Sequence, residues 1–202
     1  MSIEAYLATL TDAVSVRMPT AYGEFSMTVF SDPDDAKEHI ILVMGQPHLA
    51  AAPIVRIHSE CATGDLFASS RCDCGEQLDR SLSMIGKVGC GVLIYLRQEG
   101  RGIGLKNKLR AYQLQDQGLD TVDANRHLGL PVDSRSYEVA ATVLNALNIS
   151  TLRLLTNNPD KISSLEAFGF VVSRVPIQVD YQSHNLPYMQ AKQLKMGHLV
   201  SL

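Results

Sequence analysis

Apolar and polar positions switch between two periods along this chain. Ile3, Leu7 and Leu10 recur at helical spacing behind Ser2, which predicts a short N-terminal helix. Apolar-rich segments at 26–30 and 40–44 read as strands, separated by the turn-rich Ser31-Asp-Pro-Asp-Asp35. Residues 54–57 form a further strand that delivers the chain to His58-Ser-Glu-Cys61. Leu78, Leu82 and Ile85 then share one helical face, ended at Gly86 or Gly89. Residues 92–96 read as a buried strand and lead into a glycine-rich loop. Leu105, Leu109 and Tyr112 open the next helix, which Gly118 stops. Val139, Val143 and Leu147 mark another helix and residues 152–155 another strand. Asn158 is a natural cap with Pro159 at the first helical position, and Gly169 closes that helix. A last strand at 170–177 precedes a polar tail from about residue 180. No repeat or linker interrupts the series. The pattern predicts one α/β (α+β) domain over residues 1–202, a mixed sheet flanked by helices with a mainly β N-terminal portion.

Length and charge narrow the class. A chain of 202 residues can bury one full core. A formal charge of −3 and a pI near 6.0 argue against non-specific nucleic-acid binding. No apolar run approaches the ~20 residues of a membrane span, and Met1-Ser-Ile-Glu-Ala-Tyr lacks the basic start of a signal peptide. Clustered cysteines without an export signal point to reduced thiols and metal in a cytoplasmic protein.

Cys61, Cys72 and Cys74 lie within fourteen residues, a spacing that suits tetrahedral Zn²⁺. Structural zinc sites close all four positions, whereas catalytic ones keep a place for water. His58 could supply a fourth ligand, so both readings stand at this level. Cys90, between two glycines before an apolar run, reads as packing.

Four further features can carry chemistry. Arg97-Gln-Glu-Gly-Arg-Gly-Ile-Gly104 is a strand-to-helix loop whose glycines admit an anion to the backbone and whose Arg101 can grip phosphate. It is neither a P-loop nor a dinucleotide fingerprint, and glycine-rich turns are commonly just turns. Thr156-Asn-Asn-Pro-Asp-Lys161 ends a buried strand, the edge where open α/β sheets bind ligands; the plainer reading is a cap and a solvated lysine. Asp133-Ser-Arg135 offers a base beside an arginine, or only a cap at Asp133 or Ser134. Tyr112 shares the Leu105 and Leu109 face, and its hydroxyl could orient water or substrate.

Together these segments carry a resemblance. Arg56-Ile-His-Ser-Glu-Cys61, Arg71-Cys-Asp-Cys-Gly75 and Arg97-Gln-Glu-Gly-Arg-Gly-Ile-Gly104 match in order and spacing, as do Ala111-Tyr-Gln-Leu-Gln-Asp-Gln-Gly118, Leu154-Leu-Thr-Asn-Asn-Pro159 and Lys195-Met-Gly-His-Leu199. The chain closely resembles the GTP cyclohydrolase II family of riboflavin biosynthesis, from about Arg17 to Leu199. Residues 1–16 and the acidic loop at 32–38 are its variable parts. No dihydroxybutanone-phosphate synthase domain precedes the match, so the stand-alone form is expected.

The resemblance implies hydrolysis of GTP to 2,5-diamino-6-(5-phospho-ribosylamino)pyrimidin-4(3H)-one, formate and pyrophosphate. It implies zinc on Cys61, Cys72 and Cys74, with Arg71 as a nearby donor, and Mg²⁺ with the triphosphate. It places Arg56, Ile57, His58, Ser59, Glu60, Gln77, Glu99, Gly100, Arg101, Thr121, Thr156 and Lys161 around GTP. Among these, Glu99 and Gln77 can read a guanine edge, and Arg101 and Lys161 suit phosphates. Tyr112 positions water or polarises the opening ring, and Asp133 is the proton acceptor. Arg135 is implied as a nucleophile toward the α-phosphate. Guanidinium has no accessible lone pair, which makes an electrostatic clamp the easier role. A homodimer is also implied. The alternatives are a ring-opening relative that retains the formyl group, a non-catalytic zinc-stapled nucleotide-binding protein, and a nucleic-acid-binding zinc protein, which the acidic balance disfavours.

Overall fold

The computed structural model describes residues 2–34 and 37–179, together with Gln193, Leu194, Gly197 and Leu199. Ser2 caps α1 (Ile3–Leu7) by accepting from the Ala5 amide, as its place before the apolar spacing requires. Three strands follow as an antiparallel meander: β1 (Val14–Thr20), β2 (Gly23–Ser31) and β3 (Glu38–Met44). Beyond them lie β4 (Ile54–Ser59), β5 (Gly91–Leu96), β6 (Thr151–Leu155) and β7 (Val171–Val175). Among the described residues they make one sheet in the order β1-β2-β3-β5-β4-β6-β7. β3 meets β5 antiparallel, while β5, β4, β6 and β7 run parallel. The mixed α/β sheet with a mainly β N-terminal portion is therefore as the sequence pattern predicts.

Helices supply the crossovers. α2 (Ala62–Asp65) and α3 (Cys74–Val88) link β4 to β5. α4 (Leu105–Gln115), α5 (Thr121–His127) and α6 (Glu138–Ala146) link β5 to β6, and α7 (Pro159–Ala167) links β6 to β7. Because β5 and β6 flank β4, the chain leaves β5, passes over β4 and returns on its other side. That reversal opens a crevice beyond the strand C-termini, where such sheets take ligands.

Period-two alternation sorts the sheet into two cores. Val55, Ile57, Val92, Ile94, Leu96, Leu152 and Leu154 face one side, with residues of α1, α6 and α7. Ile54 and Leu93 face the other, against Ile85 of α3. Arg56 and His58 lie at the positions of β4 that alternate with Val55 and Ile57. They are buried at 4% and 2% exposure, and there the side of the sheet under α3 turns polar.

Several sequence expectations are corrected. β1 and α5 were not anticipated. β1 is an edge strand with Val14 and Val16 exposed, so it shows little contrast between faces. α5 is only seven residues long and starts at the Asp120 cap. α4 forms where the Leu105 and Leu109 spacing puts it, with both leucines exposed and Ala111 the buried residue of that helix. Neither Asp133 nor Ser134 caps a helix, because α6 starts at Glu138 and Ser136 accepts from its amide. Lys195, Met196 and His198 of the tail motif lie outside the described residues.

Candidate active site

Cys61 follows the end of β4 and starts the single turn of α2. Its amide donates to Asp65 Oδ2 at 2.9 Å, and Asp65 also accepts from Tyr95 Oη at 2.9 Å. Cys74 is the first residue of α3, and Cys72 sits two residues before it. Two glycines let these segments touch. A Cβ on Gly75 would meet the Gly64 carbonyl oxygen at 2.3 Å, and one on Gly64 would meet Cys72 Sγ at 2.9 Å.

The three sulfurs consequently lie within 4.8 Å of one another, with Cys61 and Cys72 at 3.5 Å. Tetrahedral Zn–S bonds of about 2.3 Å place sulfurs about 3.8 Å apart, so the cluster fits such an ion. Its electrostatics agree. Hydrogen bonds with Cys72 and Cys74 push the Cys61 thiol far down, while the contact with Cys61 raises Cys72 to about 11, and the contacts with Cys61 and Cys72 raise Cys74 well above its ordinary value. Three thiols this close do not all ionise unaided, and a divalent cation is the group that lets them do so.

His58 does not complete the set. Its Nδ1 lies 3.3 Å from Arg56 Nη2, which can only donate, so Nδ1 accepts and Nε2–H donates to Asp65 at 3.1 Å. Burial lowers its pKa, which keeps the ring neutral. Cys90 is likewise outside the cluster.

A cleft of roughly 1010 Å³, counting its open mouth, adjoins the sulfurs, at the upper end of small-molecule sites. Its floor is cationic. Arg56 is held by the Leu155 carbonyl at 2.9 Å and by Gln77 Oε1 at 2.7 Å. Burial pushes this guanidinium down to about 10, still charged at neutral pH. Lys161 is not a solvated lysine: it is 5% exposed and donates to the Ile57 carbonyl at 2.7 Å. Asn158 caps α7 by accepting from the Asp160 amide, and its own backbone amide donates to Thr156 Oγ1 at 3.0 Å.

The loop after β5 closes the cleft. Gly100 and Arg101 both adopt left-handed backbone, with φ of 62° and 60°. Arg101, a non-glycine in this strained conformation, lines the pocket wall. Glu99 faces inward, accepting from the Ala62 amide at 2.6 Å and from Lys108 Nζ at 2.8 Å. Arg71, expected near the metal, pairs instead with Asp116 and lies 4.8 Å from the centre of the Tyr112 ring. Arg135 grips Asp133 through Nε at 2.9 Å and Nη2 at 2.5 Å, and reaches Ser59 Oγ at 3.5 Å. Burial alone would raise the Asp133 carboxyl, but Arg135 holds it below the usual range.

Of the residues singled out from sequence, Arg56, His58, Ser59, Glu60, Gln77, Glu99, Gly100, Arg101, Tyr112, Thr121, Arg135, Thr156, Lys161 and the three cysteines line this one cleft. Ile57 and Asp133 do not; Ile57 is a fully buried core residue whose carbonyl holds Lys161, and Asp133 acts on the cleft through Arg135. Sequence reading missed Lys108, Asp65, Asn125 and Tyr137. Lys108 alone carried a readable signal, a cation one turn into the helix after the glycine loop.

The parallel strand ends of a mixed α/β sheet thus carry a three-cysteine cluster that could hold a metal ion, beside a cleft lined by cationic side chains. The family model described as GTP cyclohydrolase II matches residues 11–176, and the chain belongs to that family. It is 50% identical over 194 residues to a riboflavin biosynthesis protein RibBA of Bacillus cereus, covering 96% of this chain and 49% of that protein. A RibBA of Bacillus velezensis is 51% identical over 189 residues, covering 93% and 48%. The chain thus spans about half the length of these curated relatives. A solved RibBX, a two-domain 3,4-dihydroxy-2-butanone 4-phosphate synthase from A. baumannii, aligns at 18% identity with a TM-score of 0.48, over 87% of this chain and 44% of that one.

Proposed function

We propose that the chain hydrolyses GTP to the diaminopyrimidinone 5′-phosphate, formate and pyrophosphate. One observation carries this reading: the three thiols open onto the same cleft as Arg56, Arg101, Arg135 and Lys161. Ring opening needs activated water and pyrophosphate release needs cations, and the thiols that would hold the activating metal line one cavity with the cationic side chains. Cys61, Cys72 and Cys74 hold Zn²⁺, which when bound lowers the pKa of water so that hydrolysis proceeds near neutral pH.

The chain's own residues divide the remaining work. Arg101, Lys161 and Arg56 bind phosphate oxygens, with Mg²⁺ arriving on the triphosphate itself. Gln77 remains a candidate for the base, although its amide already bridges Arg56 and Asp73. Glu99, committed to Lys108 and Ala62, is better suited to holding the site than to reading guanine. Ser59, Glu60, Gly100, Thr121 and Thr156 line the wall, and Tyr112, in the same wall, has the role of positioning water or polarising the opening ring. Arg135 stabilises charge at the α-phosphorus, a role its contact with Asp133 and Ser59 supports better than nucleophilic attack. Asp133 would accept the proton released by the attacking water when Arg135 turns to substrate and frees its carboxylate.

Two features of the whole chain bear on its setting. The exposed leucines of α4 support a homodimer. Four free cysteines support a reducing, cytoplasmic location, and no helix among the described residues is long and apolar enough to cross a membrane.

Formate and pyrophosphate measured together on the zinc-loaded chain with GTP and Mg²⁺ test the proposal. Equal release of both is expected, with formate abolished in Cys72→Ser. Pyrophosphate without formate points to a relative that leaves the ring uncleaved or retains the formyl group. Neither product leaves a nucleotide-binding protein.

A further inference from the structure

The cysteine cluster is braced by a pair that the reaction scheme above leaves without a chemical role. Lys108 lies in the first turn of α4, and its Nζ donates to Cys61 Sγ at 3.0 Å. The same ammonium pairs with Glu99 Oε1 at 2.8 Å, and both side chains are largely buried, at 12% and 9% exposure. Glu99 does not end there. Its Oε2 accepts from the amide of Ala62, the residue after Cys61, at 2.6 Å, and its Oε1 also accepts from the Gly100 amide at 2.7 Å. Sulfur, ammonium, carboxylate and backbone amide therefore form a closed ring around Cys61. Gly100 makes the ring possible by turning the chain at positive φ directly after Glu99, and a Cβ there would already lie 3.2 Å from Lys108 Cβ.

The ring has an electrostatic reason. Three thiolates around a divalent ion leave one net negative charge, which is costly in a partly buried site unless a cation stands beside it. An ammonium in contact with one sulfur offsets that charge locally at Cys61, while its pairing with Glu99 leaves the group as a whole with one net negative charge. A hydrogen bond to that sulfur also withdraws electron density, so the metal keeps more of its own positive charge. Glu99 fixes the ammonium in place and, through Ala62, fixes the turn that carries Cys61.

We propose that Lys108, oriented by Glu99, is a positioning residue of the metal centre that neutralises the Cys61 thiolate and sets the metal's affinity and electron-accepting strength. This rests on reading the three cysteines as a metal centre. A lysine that merely pinned α4 to the loop would affect stability and leave the metal's own properties untouched.

The test uses the full chain and its Lys108→Met, Lys108→Gln, Lys108→Arg and Glu99→Gln variants. Zn²⁺ affinity is read by competition with a chromophoric chelator, and the sulfur-to-metal charge-transfer band is read after Co²⁺ substitution. Lys108→Met is expected to bind Zn²⁺ about 10- to 100-fold more weakly, with the cobalt band moved to lower energy. Lys108→Gln, which keeps a donor but no charge, and Glu99→Gln should fall between Met and parent. Lys108→Arg should recover most of both properties. Should Lys108→Met fail to fold, Lys108→Gln carries the same comparison with nearly the native shape. Zinc affinity within twofold of the parent in folded Lys108 variants, with an unmoved cobalt band, overturns the proposal. A parent that binds zinc and releases formate while these variants match it sinks this inference alone. A parent that takes up no zinc removes the metal-centre reading and this one with it.

Discussion

A methyl group at position 75 would meet the Gly64 carbonyl oxygen at 2.3 Å, closer than any relaxed side chain approaches backbone. Gly75→Ala must therefore push the start of α3, with Cys72 and Cys74, away from the turn bearing Cys61. We expect this variant to purify with little zinc and to release no formate while retaining its far-ultraviolet dichroism. Gly89→Ala is the control. Gly89 caps α3 at a φ of 72° with open space around it, so alanine there costs about 1 kcal/mol of stability without touching the sulfurs. Equal zinc in both variants, by elemental analysis, would contradict this account. The contrast also shows what sequence can carry at this scale. The cysteine spacing announces a metal centre, and a glycine after Cys74 is visible in the motif. That it faces a second glycine across a helix contact depends on tertiary approach, which no spacing encodes. The same holds for Lys161, whose place in a first helical turn reads equally well as solvated, and whose burial follows only once β4 lies beneath α7.

Elements were legible where local chemistry and period agreed. α7 carries Asn158 at its cap, Pro159 at its first position and Gly169 just past its end, and it folds where those signals put it. β5 read as a buried strand because strands covered on both faces are nearly continuous apolar runs, whereas β4, broken by Arg56 and His58, read only as a strand. α4 forms as predicted, but its spacing does not fix its burial. The Leu105 and Leu109 spacing is truly helical, yet period reports only that an apolar face exists, not what covers it. Both side chains point outward, 40% and 46% exposed. If a second copy covers them, Leu109→Glu should yield a single-chain particle by light scattering. The folded chain itself should change in stability by no more than about 0.5 kcal/mol, because no core contact is lost. A parent that is already single-chain, or a variant that keeps the parent's mass, would count against the homodimer on this face.

At the scale of the molecule, the proposed metal and phosphate chemistry would rest on different parts of the fold. The sulfurs depend on one contact, between α2 and the start of α3. The cations depend on the sheet. Arg56 is tied across from β4 to the Leu155 carbonyl of β6, and Lys161 is tied from α7 to the Ile57 carbonyl of β4. Neither tie involves a cysteine, and β4, β5 and β6 hold one another through the hydrogen bonds of a parallel sheet. Stripping zinc should therefore abolish formate release while leaving the phosphate-binding wall in place. The expected result is a chelator-treated chain whose Tm still rises with GTP and Mg²⁺, since any ligand that favours the native state stabilises it by mass action. The rise should shrink strongly in Lys161→Met and persist in Cys72→Ser. If zinc-free chain shows no GTP-dependent rise, the two halves of the cleft are one cooperative unit, and the crevice beyond the parallel strands cannot be the independent anion site that its hydrogen bonding implies. A rise that survives Lys161→Met unchanged would instead move the phosphates to Arg101 and Arg135, on the loops above the sheet.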